Sequence, residues 1–229
     1  MPRTAGDASD AGGEDGETPV VASDFHSHVC KSGAVTLLSV PYPEPGGGWP
    51  WSLEFHPWHL PETVEDGLPG GFAELLESAA ALGEVGLDRL RGPVCEVQRR
   101  WLKLLLEAAR ALKKPVVFHC VRMVPELLAE TKPYGGLKRL FHGFRGSPEL
   151  LEELRSHGFY VSLAPAALER SELMEHLRSA GLGGIGFETD TLPEPVERIL
   201  ERAARRLNFS YAELERITDQ TFQEFLHHE

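Results

Sequence analysis

Asp24-Phe25-His26-Ser27-His28 sets two imidazoles two residues apart at the end of an apolar run, Val20-Val21-Ala22-Ser23. Side chains two apart in a β-strand leave the same face. His26 and His28 therefore project together, and two neutral imidazoles on one side are half of a divalent-metal site. Taken alone, the pair is explained as well by solvated or core-bonded histidines. The pattern recurs, however. An apolar run leads into Gly83-Glu84-Val85-Gly86-Leu87-Asp88, Pro115-Val116-Val117-Phe118 ends in His119, Leu140-Phe141 ends in His142, and Ile185-Gly186-Phe187 leads into Glu188-Thr189-Asp190. Unrelated polar caps at strand ends are the competing explanation. They account poorly for four of the chain's ten histidines falling in this ordered arrangement.

The elements that must position these groups follow from periodicity. Short apolar runs predict strands over 20–26, 34–40, 51–56, 80–85, 115–119, 137–142, 159–163 and 184–187. Helical spacing is clearest over 93–113, where Val97, Trp101, Leu104, Leu105, Ala108 and Leu112 share a face. Val196, Ile199, Leu200, Ala203 and Leu207 form a second stripe. Leu214, Ile217, Phe222 and Phe225 form a third, in a last helix with Ser210 at its N-cap. Shorter helices fit 71–80, 122–131, 147–157 and 169–180, the third starting on Ser147-Pro148. Eight strands separated by helices predict an α/β fold, a parallel TIM-like (β/α) barrel whose C-terminal strand ends form the catalytic face. The start of the barrel departs from this plan. About five residues separate the first two strands, and Pro41-Tyr-Pro-Glu-Pro-Gly-Gly-Gly-Trp-Pro50 cannot be helical. The early helices are therefore expected to be missing or distorted. Residues 1–19, small and acidic, read as a disordered tail or a segment that folds on a partner. Residues 20–229 read as a single domain.

The segments DFHSHV, FHPW, GEVGLD, VVFHC, LFHGFRGSPE and ETD, in this order and rough spacing, resemble the TatD-like metal-dependent hydrolases, over essentially residues 20–225. That family implies an α/β barrel and a magnesium-dependent deoxyribonuclease, and its shorter members lack early helices. Carried over residue by residue, the resemblance implies that His26, His28 and Asp190 hold a first ion, that Glu84 bridges, and that His119 and His142 complete a second. Two divalent ions about 4 Å apart can hold a hydroxide nucleophile and clamp phosphoryl oxygens. Asp190 also suits a general base. The resemblance points to Mg²⁺ or Mn²⁺ for activity. Histidine-rich coordination also suits Zn²⁺, which could occupy the site in crystals.

Around these six, His56 of His56-Pro57-Trp58 is a candidate substrate contact, and Trp58 either stacks a base or packs under a loop. Arg122 and Arg145 are candidate phosphate clamps, since guanidinium pairs bidentately with phosphate. Related sequences often place Arg two positions after the fifth-strand histidine, where this chain has Val121. Beyond Asp190 the family usually continues with a small residue, Pro and an aromatic, whereas this chain reads Thr191-Leu192-Pro193-Glu194. Asp24 is expected to orient a ligand or cap the strand, and Asp88 to support its loop. His59, His157, His176, His227 and His228 are assigned surface or structural roles.

Composition narrows the alternatives. A net charge of −12 argues against a broad basic groove for duplex DNA, while a two-cation site can be positive within an acidic protein. Three cysteines without C-x-x-C spacing imply neither a disulfide framework nor a zinc knuckle. No apolar stretch reaches membrane-spanning length and no secretory pattern opens the chain, so the expected setting is cytoplasmic, with no membrane partner and a monomer favoured. The leading function is phosphodiester hydrolysis, most plausibly of DNA ends or single strands. The alternatives are hydrolysis of an amide, ester or lactone, and a metal- or partner-binding protein without turnover.

Overall fold

In a computed structural model of the chain, which describes residues 21–29, 33–64 and 67–227, eight parallel strands pair in chain order. They are β1 (Ser23–Ser27), β2 (Val35–Pro41), β3 (Trp51–Glu54), β4 (Ala81–Asp88), β5 (Val116–Val121), β6 (Arg139–Phe144), β7 (Phe159–Leu163) and β8 (Ile185–Phe187). A bridge between Ser27 and Asp190 brings the last strand back to the first. There the Asp190 N–H donates to His26 O at 3.0 Å and the His28 N–H donates to Asp190 O at 3.1 Å. The result is a nearly closed TIM-like barrel, with three site residues, His26, His28 and Asp190, forming its seam.

Helices α1 (Phe72–Ser78), α2 (Cys95–Ala111), α3 (Val124–Thr131), α4 (Pro148–Ser156) and α5 (Ser171–Ala180) follow β3 to β7 in turn. Helices α6 (Val196–Leu207) and α7 (Tyr211–Leu226) both follow β8. Among the described residues no helix separates β1 from β2 or β2 from β3. The proline and glycine run after Pro41 denies a helix its N–H donors and its φ/ψ preference. The start signals behave as their chemistry requires. Ser210 Oγ accepts from Glu213 N at 3.2 Å, and Ser147 Oγ from Leu150 N at 3.4 Å with Pro148 next.

Two layers of core hold the sites in place. The larger lies between strands and helices. The smaller joins Phe25, Leu37, Ala81, Val117 and Leu140, from five different strands, to Phe222 and Phe225 of α7. Side chains from five strands can meet only inside the barrel, so α7 closes its lower end. The Phe25 and Phe222 rings meet edge-on at 5.2 Å. Burying each α7 phenylalanine contributes about 2–3 kcal/mol.

Several elements differ from the sequence expectation. Val20, residues 1–19, Cys30 and His228 lie outside the described residues. β4 does not end at Val85 but runs to Asp88, so Glu84 sits inside the strand. β5 and β6 likewise continue two residues past His119 and His142, while β3 stops at Glu54 and leaves His56 on the loop. The expected helix over 169–180 is α5, Ser171–Ala180, preceded by a 3₁₀ turn, Pro165–Glu169. In α2 the buried stripe is Gln98, Trp101, Leu102, Leu105, Leu106 and Ala109, one position round from the one expected. The leucine-rich run Leu102, Leu104, Leu105 and Leu106 fits either stripe, and the polar Gln98 belongs to the one that is buried.

Candidate metal centre

Glu84 is the hub, buried at 2% exposure. Local backbone chemistry puts it there. At Gly86 the φ of +148° is one that side-chain-bearing residues rarely adopt, and a Cβ would fall 1.9 Å from His119 O. Only glycine lets β4 press against β5 at that point, and the pairing register shifts between Leu82 and Val85 to turn Glu84 toward the mouth.

Five imidazoles converge on this carboxylate. Glu84 Oε1 lies 3.2 Å from Nε2 of both His26 and His28. Glu84 Oε2 lies 2.7 Å from His142 Nε2, 2.8 Å from His119 Nδ1 and 3.2 Å from His56 Nε2. Asp190 Oδ1 is 3.7 Å from His28 Nε2, and its φ of +51° places it in the left-handed region. Three overlapping groups, His26/Glu84/His142, His26/His28/Asp190 and His56/Glu84/His119, each bring one ligand atom per residue within 4.8 Å of the others. His119 and His142, expected as a pair, thus fall in two groups that share Glu84. His56, expected to touch substrate, sits among them.

The outer nitrogens are also occupied. His142 Nδ1 faces Glu188 Oε1 at 3.3 Å, and Ser162 Oγ holds the other Glu188 oxygen. His119 Nε2 faces Asp88 Oδ2 at 3.1 Å. His28 Nδ1 is 3.6 Å from Glu54 Oε2, which accepts from Ser39 Oγ at 3.0 Å. An imidazole that donates one N–H outward to a carboxylate presents the other nitrogen's lone pair inward, as metal-ligating histidines do. His56 differs. Its Nδ1 accepts the Trp58 backbone N–H at 3.1 Å, so its proton is on Nε2, facing Glu84 as a donor.

The donor set fits a cation. A carboxylate offers about four lone-pair sites, fewer than the five imidazole nitrogens within 3.2 Å of Glu84. His26 Nδ1 is buried without a hydrogen-bond partner, and its Nε2 lies 3.2 Å from Glu84 Oε1 outside hydrogen-bond geometry, where a cation would take its lone pair. Without one, Glu84, His142 and His28 favour each other's charged forms. Burial pushes Glu84 up, but the His142 charge and hydrogen bonds from His119 and His142 overturn this and hold its carboxyl well below the usual range. Burial opposes charge on His142 too, yet Glu84 and Glu188 raise it well above the ordinary histidine value. His28 is raised first by its hydrogen bond to Glu84.

The remaining candidates sort by position. Arg122 and Arg145 are exposed, each directly after the last residue of its strand, β5 and β6, on the rim of the same mouth. Asp24 ties the β8 end, its carboxylate accepting from Thr189 N at 3.0 Å and Thr189 Oγ1 at 2.6 Å. Asp88 supports its loop by accepting from Leu90 N at 2.7 Å, and in addition buttresses His119. Trp58 is 37% exposed, donates Nε1–H to Asp88 Oδ2 at 2.6 Å, and carries Arg91 stacked 4.3 Å over its ring. His157 and His176 bond to Glu153 O and Glu152 on the surface. Sequence reasoning missed Glu54 and missed Glu188 as a partner. Each is an acid at the end of an otherwise apolar strand, which was the available signal.

Residues 51–227 match the sequence profile of the TatD-related DNases. No curated protein sequence matches the chain. Among solved structures, the YjjV TatD homologue of Escherichia coli K12 superposes with a TM-score of 0.71 at 18% identity, over 91% of this chain and 98% of that one. A TatD-family hydrolase from Entamoeba histolytica gives 0.64 at 18% identity, over 77% and 74%. A phosphotriesterase homology protein from Escherichia coli, solved with phosphate in its active site, gives 0.53 at 16% identity, over 72% and 63%. At these identities the structural likeness concerns the fold. No helix among the described residues is long and apolar enough to cross a membrane.

Proposed function

The chain belongs to the TatD-related DNase family, which makes it a metal-dependent hydrolase, and on that premise we propose that it cleaves phosphodiester bonds, acting on DNA ends, single strands or small phosphodiesters. The observation that carries the proposal is Glu84: one buried carboxylate whose two oxygens are divided between histidines from opposite sides of the barrel. His26, His28 and Asp190 would hold one divalent ion, His119 and His142 a second, and Glu84 both, with Mg²⁺ or Mn²⁺ as the working metal. When bound, such ions supply Lewis acidity toward phosphoryl oxygens and lower the pKa of water.

The chain's own residues then divide the labour. Asp190 accepts the proton of the attacking water, as a carboxylate at the edge of the centre can. His56 offers its Nε2–H to an oxygen of the phosphoryl group, a donor fixed in that tautomer by the Trp58 backbone. Arg122 and Arg145 on the rim engage flanking phosphates. The acidic exterior disfavours long duplexes, so ends and single strands are the preferred substrates. The two free cysteines among the described residues, Cys95 and Cys120, suit a reducing cytoplasmic setting.

The test is a substrate panel with added Mg²⁺ or Mn²⁺. Release of nucleotides from single-stranded DNA, lost in Glu84→Ala and retained in His157→Ala, is the expected result. Turnover of esters, amides or lactones with none of nucleic acid would replace this reading with carbonyl hydrolysis.

A further inference from the structure

Beside the metal centre lies a cleft of about 310 Å³ whose walls are Pro41, Tyr42, Phe55, Pro61 and Pro69. Glu54 and His56 form its side toward the centre, and His59 completes it. It opens where β2 and β3 end without following directly into helices. The walls are apolar and stiff. Three are prolines, and Phe55 is held among Tyr42, Phe72 and Trp101 with ring centroids 5.8, 5.7 and 5.3 Å away. The volume is at the small end for ligand pockets, room for one ring system rather than a chain.

Charge decides what enters. Glu54, 8% exposed, lines this space on the inner side, its carboxylate accepting from Ser39 Oγ. An anion there meets a like charge, so a phosphoryl group belongs on the metal centre and not in the cleft. Tyr42 Oη is committed to Gly70 O at 2.8 Å, while the Glu54 carboxylate, beyond the bond from Ser39 Oγ, offers further acceptor capacity toward a ligand's N–H or O–H. Continuity is direct: His56 lines the cleft and stands 3.2 Å from Glu84.

We propose that this cleft is a substrate subsite for a planar, uncharged ring bearing a hydrogen-bond donor, an unpaired nucleobase whose phosphodiester lies on the metal centre. This rests on the phosphodiesterase reading above and adds to it which part of the substrate is gripped.

Two measurements test it. With Mn²⁺ present, the 4-nitrophenyl ester of deoxyadenosine 5′-phosphate is compared with methyl 4-nitrophenyl phosphate. The expected KM is about tenfold lower for the nucleoside ester, within what base–aromatic stacking contributes. His59→Trp, which fills the cleft, brings the two KM values to within about twofold of each other. Calorimetric titration with deoxyadenosine, against deoxyribose as control, reads the cleft without turnover. Binding is expected for the nucleoside alone and is weakened at least about fivefold by His59→Trp. Equal KM values in the wild type, or a preference untouched by His59→Trp, overturns the subsite. Hydrolysis of neither ester instead overturns the phosphodiesterase reading, and the calorimetry then decides the cleft by itself.

Discussion

Trp58, Asp88 and His119 form a short chain of contacts whose last member faces Glu84. The indole donates to Asp88 Oδ2 at 2.6 Å, and the same oxygen lies 3.1 Å from His119 Nε2. Asp88 is held below its ordinary value against its burial, by bonds from Trp58, the Leu90 backbone and His119. Removing one donor to a buried carboxylate loosens the imidazole it orients, and such outer contacts change metal affinity about 10–100-fold. Trp58→Phe keeps an aromatic ring beneath Arg91 and deletes the N–H together with the five-membered ring that carries it. It is expected to weaken Mn²⁺ binding about tenfold, read by electron paramagnetic resonance of free Mn²⁺, with little change in melting temperature. Unchanged affinity would reduce Trp58 to a rim residue. At this scale the sequence was informative about residue type and poor about partners. His26, His28, Glu84, His119, His142 and Asp190 stood out as polar residues following apolar runs, and the structure brings them together at one mouth. Glu54 behind His28 and Glu188 behind His142 were not, because what makes them partners is a contact across strands.

Among the elements, the loop after β4 shows how a helix serves the site. Gln98, buried in α2, donates to the carbonyls of Asp88, Arg91 and Pro93 at 2.8, 3.0 and 2.8 Å and accepts from Asp88 N at 2.7 Å. One amide therefore anchors the loop that follows Glu84's strand. Gln98→Leu leaves three buried backbone groups, Asp88 N, Asp88 O and Pro93 O, unpaired, and each such group costs about 1 kcal/mol or more. A loss of about 3 kcal/mol in urea unfolding is expected, together with weaker metal binding through a displaced Asp88. A stable variant with wild-type metal affinity would show that the loop holds its shape without the amide. The apolar stripe of α2 was readable in the sequence but one position off, since its leucine-rich run fits either stripe. The barrel itself was legible from eight short runs, and its missing early helices from the prolines and glycines after Pro41. Strand ends were not, because β4 continues through glycines that ordinarily break a strand, held by its pairing with β5.

For the whole molecule, three phenols contribute to stability on the alkaline side, Tyr134 buried and Tyr160 and Tyr211 partly so. Burial, then the hydrogen bond to Glu107, pushes Tyr134 up to about 12. Burial also raises Tyr160 and Tyr211 above the ordinary tyrosine value. A group whose folded pKa exceeds its unfolded value, about 10 for tyrosine, contributes stability that is complete below pH 10 and lost as pH rises toward 12. Phenolate absorbance at 295 nm should therefore appear later in the native protein than in guanidinium, with unfolding on the same rise. Coincident titrations in the two states would contradict it. At the centre, imidazoles and carboxylates from six strands and their adjoining loops share one space. That convergence is the central claim, and metal stoichiometry after equilibrium dialysis against Mn²⁺ tests it most directly. Two ions per wild-type chain and no more than one in Glu84→Gln is the predicted result. An equal metal content in both proteins would contradict a shared carboxylate and the mechanism built on it.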